Sequence, residues 1–178
     1  YYKTMENYLD YKSGAVLLMN RNLAEDVVET QGKAYGVELM LKKPLGKLNG
    51  WFAYTWSRTR LREDGDRGDM AINGGKWYDA SYDKPHDVKL VANYKFTQRI
   101  SLSVNGDYST GRAITIPVAK YEYDGGYKLY YSARNGHRIP DYFRIDASMN
   151  FEPTHKINAF THFSFTVGVY NLTGRKNV

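Results

Sequence analysis

Residues 99–110 read Arg-Ile-Ser-Leu-Ser-Val-Asn-Gly-Asp-Tyr-Ser-Thr, with small polar residues at every second place and mostly aliphatic or aromatic ones between. Successive side chains of a strand point to opposite faces, so one face carries Ile100, Leu102, Val104 and Tyr108. The other carries Ser101, Ser103, Asn105, Asp107 and Ser109. The same period recurs along the chain and predicts about seven strands, near residues 2–11, 32–43, 48–60, 86–96, 100–110, 141–151 and 159–171. None of these segments has helical spacing. Pro44, Pro85, Pro117, Pro140 and Pro153 all fall outside them, as a central ladder that needs every N–H requires.

The apolar sets are Tyr35, Val37, Leu39 and Leu41; Phe52, Tyr54 and Trp56; and Val88, Leu90, Ala92, Tyr94 and Phe96. Two later strands add Phe143, Ile145, Ala147, Met149 and Phe151, then Phe163, Phe165, Val167 and Val169. Their opposite faces are polar, with Met40, Trp51 and Val91 as exceptions. The connections alternate without a break: short at 44–47, 97–99 and 152–158, long at 12–31, 61–85 and 111–140. Strands of about 10 residues cross a tilted bilayer, and outer-membrane barrels have short turns on one rim and long loops on the other. The pattern predicts an all-β fold: an antiparallel up-and-down transmembrane β-barrel. With no linker or shift of composition, residues 1–178 form one barrel domain.

Composition sharpens this picture in three places. No apolar run among the 178 residues approaches the ~20 of a membrane-spanning helix, which excludes that class but not a barrel. Aromatic residues make up 15%, led by 17 tyrosines, whose apolar ring and polar tip suit membrane interfaces and ligand surfaces. The net charge of +6 is scattered among acidic residues rather than gathered in a block, which argues against nucleic acid, and the absence of cysteine removes thiol chemistry. Seven strands cannot close, and raw edges are not tolerated in hydrocarbon, so the chain is expected to be an incomplete segment of a larger barrel.

Several stretches carry a family resemblance. These are Tyr82-Asp83-Lys84-Pro85-His86-Asp87, Thr110-Gly111-Arg112, Arg134-Asn135, the run from Arg138 to Asp146, and Tyr170-Asn171-Leu172-Thr173-Gly174-Arg175-Lys176-Asn177. In order and spacing they resemble the late, C-terminal barrel strands of TonB-dependent outer-membrane receptors of the Bacteroidetes type, over about residues 1–178. The resemblance implies a 22-stranded barrel, of which these strands are roughly a third, closed by an N-terminal plug. It also implies active uptake of a scarce nutrient such as an iron chelate, cobalamin or a glycan. The implied partners are outer-membrane lipids, the TonB complex through N-terminal parts outside this sequence, a surface lipoprotein, and a small-molecule or oligosaccharide ligand. The implied place is the outer membrane of a Gram-negative bacterium.

The candidate chemistry lies on the lumen face and in the long connections. Arg144 and Asp146, two apart on the polar face, read first as a structural pair and second as substrate contacts. Trp77, Tyr78, Tyr82, Tyr121, Tyr123, Tyr127, Tyr130 and Tyr131 form either a ligand-stacking surface or an aromatic rim at the membrane interface. Asp83-Lys84-Pro85-His86 reads as a turn that sets register. The run from Glu63 to Asp69 lacks the spacing of a calcium loop and reads as a solvated acidic loop. No metal ligand set, cofactor or catalytic arrangement is expected: the four histidines lack ligand spacing, Ser81, Asp83 and His86 are merely close in sequence, and the lipid-facing sets hold no Ser-His pair. Arg67-Gly68-Asp69 and Asn171-Leu172-Thr173 are chance-level triplets. Two other classes stay open, a soluble lipocalin-like ligand-binding barrel with apolar residues inside, and a passive porin or adhesin.

Overall fold

A computed structural model describes residues 1–13, 22–65, 67–152 and 163–177. Its strands are β1 (Tyr2–Tyr11), β2 (Val27–Lys43), β3 (Leu48–Glu63), β4 (Tyr78–Asp79), β5 (His86–Lys95), β6 (Ile100–Ser109), β7 (Ala113–Ile114), β8 (Pro117–Tyr123), β9 (Gly126–Tyr131), β10 (His137–Arg138), β11 (Tyr142–Phe151) and β12 (Phe165–Val169). No α-helix occurs among the described residues, only three short 3-10 turns. The main sheet runs β1-β2-β3-β5-β6-β11-β12, with β4 added to β3. These are the seven expected strands in chain order, and β1–β2, β3–β4, β3–β5, β5–β6, β6–β11 and β11–β12 all pair antiparallel. β1 and β12 do not pair, so the sheet is open, as the expected barrel segment would be.

The chain divides into two compact units. Unit 2 comprises residues 38–56, 85–110 and 140–178, and it contains the short connections. Its ladders set the apolar positions in rows across four strands: Tyr54, Val88, Tyr108 and Phe143; then Phe52, Leu90, Gly106 and Ile145. Below them Leu48, Tyr94, Leu102, Met149 and Val167 form a row of five. The alternate rows are polar, such as Asn49, Asn93, Ser103, Ser148 and Gly168. Directly opposed side chains of this kind stabilise a sheet by about 0.2–1 kcal/mol per pair. Yet among the described residues no Ala, Val, Ile, Leu, Met or aromatic side chain of this unit is buried. Ile100, Leu102 and Val104 are half-buried by their neighbours within the sheet, and Leu90, Phe163, Phe165, Val167 and Val169 are exposed. An apolar face with no protein layer over it is what a lipid-facing wall requires.

Two turns in this unit have clear local causes. In the 97–99 connection the Thr97 hydroxyl accepts the N–H groups of Arg99 (3.1 Å) and Ile100 (3.0 Å). Gly50 has φ +148°, and a Cβ there would lie 2.0 Å from the Val91 carbonyl oxygen, so no other residue fits that row.

Unit 1 comprises residues 1–37, 57–84 and 111–139, and it contains the long connections. The small apolar core lies here: Leu61, Ile72, Tyr78 and Ala80 are buried, with Met5, Tyr8 and Val28 packed against them. The long connections differ from the expectation of structureless loops. β2 begins at Val27, and β3 continues to Glu63 because β4 supplies a pairing partner, with Arg60 opposite Asp79 and Leu61 opposite Tyr78. The 111–140 connection holds four short strands, and Pro117 opens β8 at the first-residue position where its missing N–H does no harm. The last strand is described only from Phe165; the expected residues 159–162, the 153–158 turn, His155 and His162 lie outside the described residues.

Candidate functional site

Within unit 1 an ionic cluster ties together segments far apart in sequence. The turn after β4, in which the Asp83 N–H bonds the Ala80 carbonyl (2.9 Å), points the Asp83 carboxylate inward, where its side chain is 1% exposed. It accepts the Thr59 N–H (2.6 Å) and the Arg138 guanidinium (2.5 Å), with Arg58 at 3.4 Å. Asp79 accepts Arg138 (2.7 Å) and Arg58 (3.1 Å), with Arg60 at 3.4 Å. The other arm of Arg138 bonds the carbonyls of Asp83 (2.8 Å) and Gly111 (3.0 Å). Burial acts to lower the Arg138 pKa, but its bonds to Asp83 and Asp79 outweigh this and raise it. Four directed bonds from one planar fork make Arg138 a staple rather than a surface charge.

A second staple lies nearby. Asp10 accepts the Tyr78 hydroxyl (2.6 Å) and the Arg134 guanidinium (3.2 Å), while Arg134 also reaches the Tyr11 carbonyl (2.5 Å). The backbone of Arg134 is held on both sides by the Asn73 side chain, at 2.7 and 3.1 Å. Glu63 is buried, accepting the Ile72 N–H (2.7 Å) and Arg67 (3.0 Å). Glu63 thus departs from the reading of a solvated acidic loop, whereas Asp64, Gly65, Arg67 and Gly68 of that run are exposed.

The aromatic candidates separate into three groups. Tyr78 is buried in the core, 4% exposed, and its hydroxyl is bound to Asp10, which removes it from any exposed ligand surface and corrects its inclusion there. Burial, the Asp10 hydrogen bond and the Asp10 charge push its pKa well above the usual tyrosine value. Trp77 is half-buried beneath two cations, the Lys33 Nζ 4.5 Å and the Arg62 Cζ 5.1 Å from its ring centre. Tyr82, Tyr121, Tyr123, Tyr127, Tyr130 and Tyr131 are exposed. Burial first, then the Tyr8 hydrogen bond and neighbouring negative charge, push the Tyr82 pKa up to about 12.

Five of those tyrosines sit on a hairpin that was expected to be loop. Asp124 (φ +52°) and Gly125 (φ +73°) form a two-residue turn of the type Asp-Gly favours, closed by Tyr123 opposite Gly126. Both strands, β8 and β9, are exposed along their whole length. One face carries Tyr121, Tyr123, Lys128 and Tyr130; the other carries Lys120, Glu122, Tyr127, Leu129 and Tyr131. Lys128 lies 4.2 Å over the Tyr123 ring and Lys120 lies 5.1 Å over Tyr127, so the rings are braced by cations rather than packed into a core.

In unit 2, Arg144 and Asp146 stand on the polar face of β11 and pair at 3.0 Å. Asp146 also accepts the Asn171 N–H (2.9 Å), and Arg144 donates to the Tyr170 hydroxyl while lying 4.3 Å over its ring. Both are satisfied within the strand and the segment after β12. A shallow open groove on the same face is lined by Trp51, Lys89, Asn105, Asp107, Arg144 and Asp146. His86 bonds the Tyr54 hydroxyl through Nδ1 at 2.9 Å. Among the described residues no group of three His, Cys, Asp or Glu comes together as a metal site.

An antiparallel sheet that is apolar and uncovered on one face and polar on the other has the character of a wall of a membrane-spanning β-barrel. The family model described as TonB dependent receptor-like, beta-barrel matches residues 1–172, and the chain belongs to that family. Membership gives outer-membrane transport in Gram-negative bacteria with TonB as partner, and members are transporters rather than enzymes. No curated protein and no solved structure matches the chain. The lipocalin alternative falls, because the family match over residues 1–172 is to a TonB-dependent receptor barrel.

Proposed function

We propose that this chain is the C-terminal part of the barrel of an active importer of the Bacteroidetes type, one that captures a scarce nutrient of the iron-chelate, cobalamin or glycan class. Energy would come from the TonB complex through N-terminal parts of the receptor, and a surface lipoprotein is a fitting partner for the long connections. The observation that carries the proposal is the exposed β8–β9 hairpin, whose five tyrosines offer rings and hydroxyls on both faces to a bulky ligand with sugar or aromatic surfaces. Tyr82 belongs to the same exposed set. Arg144, Asp146 and the groove beside them would line the lumen.

The test uses the full receptor and a panel of a ferric chelate, cobalamin and neutral oligosaccharides, with binding followed by intrinsic fluorescence. One panel member should bind, and Tyr121→Ala with Tyr123→Ala should weaken it about tenfold, the loss of roughly one well-made aromatic contact. Unaltered affinity in that variant would remove the hairpin from the ligand site.

A further inference from the structure

We infer that Lys33, Arg62 and Trp77 form a binding site for the phosphate headgroup of an anionic lipid, in the leaflet on the side of the long connections. The inference begins with one face of β2 in unit 1. Alternate positions there run Val37, Tyr35, Lys33, passing from an exposed aliphatic residue to an aromatic one to a cation. Tyr35 pairs across the ladder with Tyr2, the two rings stacked at 6.3 Å, and the next row sets Lys33 opposite Thr4. That order of apolar side chain, aromatic ring and cation is the order of a bilayer crossed from hydrocarbon to headgroups. The cation stands toward the 12–26 connection, one of the long ones.

What marks this point as a site is its uncompensated charge. Lys33 and Arg62 share the Trp77 indole, at 4.5 and 5.1 Å. Arg62 is anchored by the Gln31 side-chain carbonyl (3.1 Å), and the Gln31 amide donates in turn to the Asp64 carboxylate (3.1 Å), so that acid reaches Arg62 only through a neutral side chain. Among the described residues no carboxylate lies within ion-pair distance of either cation, whereas Arg58, Arg60, Arg67, Arg134 and Arg138 of the same unit all have one. The ring thus gathers two like charges within about 5 Å of its centre, and an anion with several acceptor oxygens would offset both. A phosphate fits the guanidinium fork and the ammonium together. A lipid is favoured over a soluble anion because the exposed Val37 and the Tyr2–Tyr35 pair adjoin the cations, offering acyl chains a surface.

The experiment takes the full receptor in phosphatidylcholine bilayers doped with lipid A, either carrying its two phosphates or dephosphorylated, and counts retained lipid by native mass spectrometry. The parent should enrich the phosphorylated form. Each cation near an anionic bilayer is worth about a fivefold change, so Lys33→Gln with Arg62→Gln should lower retention about 25-fold. Arg62→Lys should keep most of it, and Lys120→Gln with Lys128→Gln on the hairpin should change it less than about twofold, with heat-modifiable gel mobility confirming that each variant is folded. Three results overturn the inference: equal retention in the Lys33/Arg62 variant, an equal loss in the hairpin variant, or displacement of the lipid by millimolar inorganic phosphate.

Discussion

Asp83→Ala tests whether the ionic cluster holds the long connections. The side chain is 1% exposed and receives a backbone N–H at 2.6 Å and a guanidinium at 2.5 Å. Removing it leaves the Thr59 N–H without its acceptor, worth about 1–3 kcal/mol, and strips one of two carboxylates from Arg138 and Arg58. Breaking a fully buried ion pair costs about 3–5 kcal/mol, but these guanidinium groups are 25% and 28% exposed and keep Asp79, so only about 1 kcal/mol of that applies. The total is about 3 kcal/mol, or two orders of magnitude in the opening equilibrium. Hydrogen exchange on the full receptor in lipid reads it directly at the amides of Ile139, bonded to the Arg112 carbonyl, and of Ala80, bonded to Thr59. Both should exchange about 100-fold faster, while β11 amides stay as they were. Asp83→Asn, which keeps an acceptor for Thr59 but loses the charge, should fall between. A double-mutant cycle with Arg138→Gln should show coupling of at least ~1 kcal/mol; additive effects, or unchanged exchange, would refute the stapling role.

Two further outcomes follow from the same geometry. Leu90→Arg, on the exposed apolar face, should cost about 2–4 kcal/mol near the bilayer midplane, while Lys89→Ala on the polar face should be close to neutral; equal effects in a folding titration in lipid would overturn the face assignment. The raised pKa of Tyr78 gives a stability contribution present in full below the ordinary tyrosine pKa of 10 and lost as pH rises above it, because the unfolded phenol ionises first. Exchange in the 64–85 connection should therefore rise above about pH 10, and Tyr78→Phe should flatten that rise; an unchanged slope would detach it from Tyr78.

The strand faces of unit 2 were legible because the side-chain period of two runs unbroken through its ladders: Leu102, predicted apolar from its own strand, stands between Tyr94 and Met149, predicted from theirs. The long connections were not, since their order comes from pairs such as Arg138 and Asp83, whose separation of 55 residues leaves no local trace. The stretch Asp83-Lys84-Pro85-His86 reads as a turn that sets register, and the Asp83 bond to the Thr59 N–H agrees, but its ion pairs were out of reach of any periodicity. The tyrosine hairpin did leave a signal, Asp124-Gly125 between alternating residues, which the length of the surrounding connection obscured. Tyr78 was misassigned because a residue in a connection is expected at the surface, and only the two-residue pairing of β4 with β3 turns it inward.

Apart from Pro85, no aliphatic or aromatic side chain among the described residues of unit 2 is buried, and this changes how that half of the chain tolerates mutation. In a packed interior, shortening a leucine leaves a hole that rigid neighbours cannot fill, and the hole adds to the penalty. Here the neighbour is fluid acyl chain, which flows into whatever room a smaller residue leaves. Size on that surface is therefore free to drift while oiliness is not, and the positions where shape is still dictated are those such as Gly50, where backbone meets backbone.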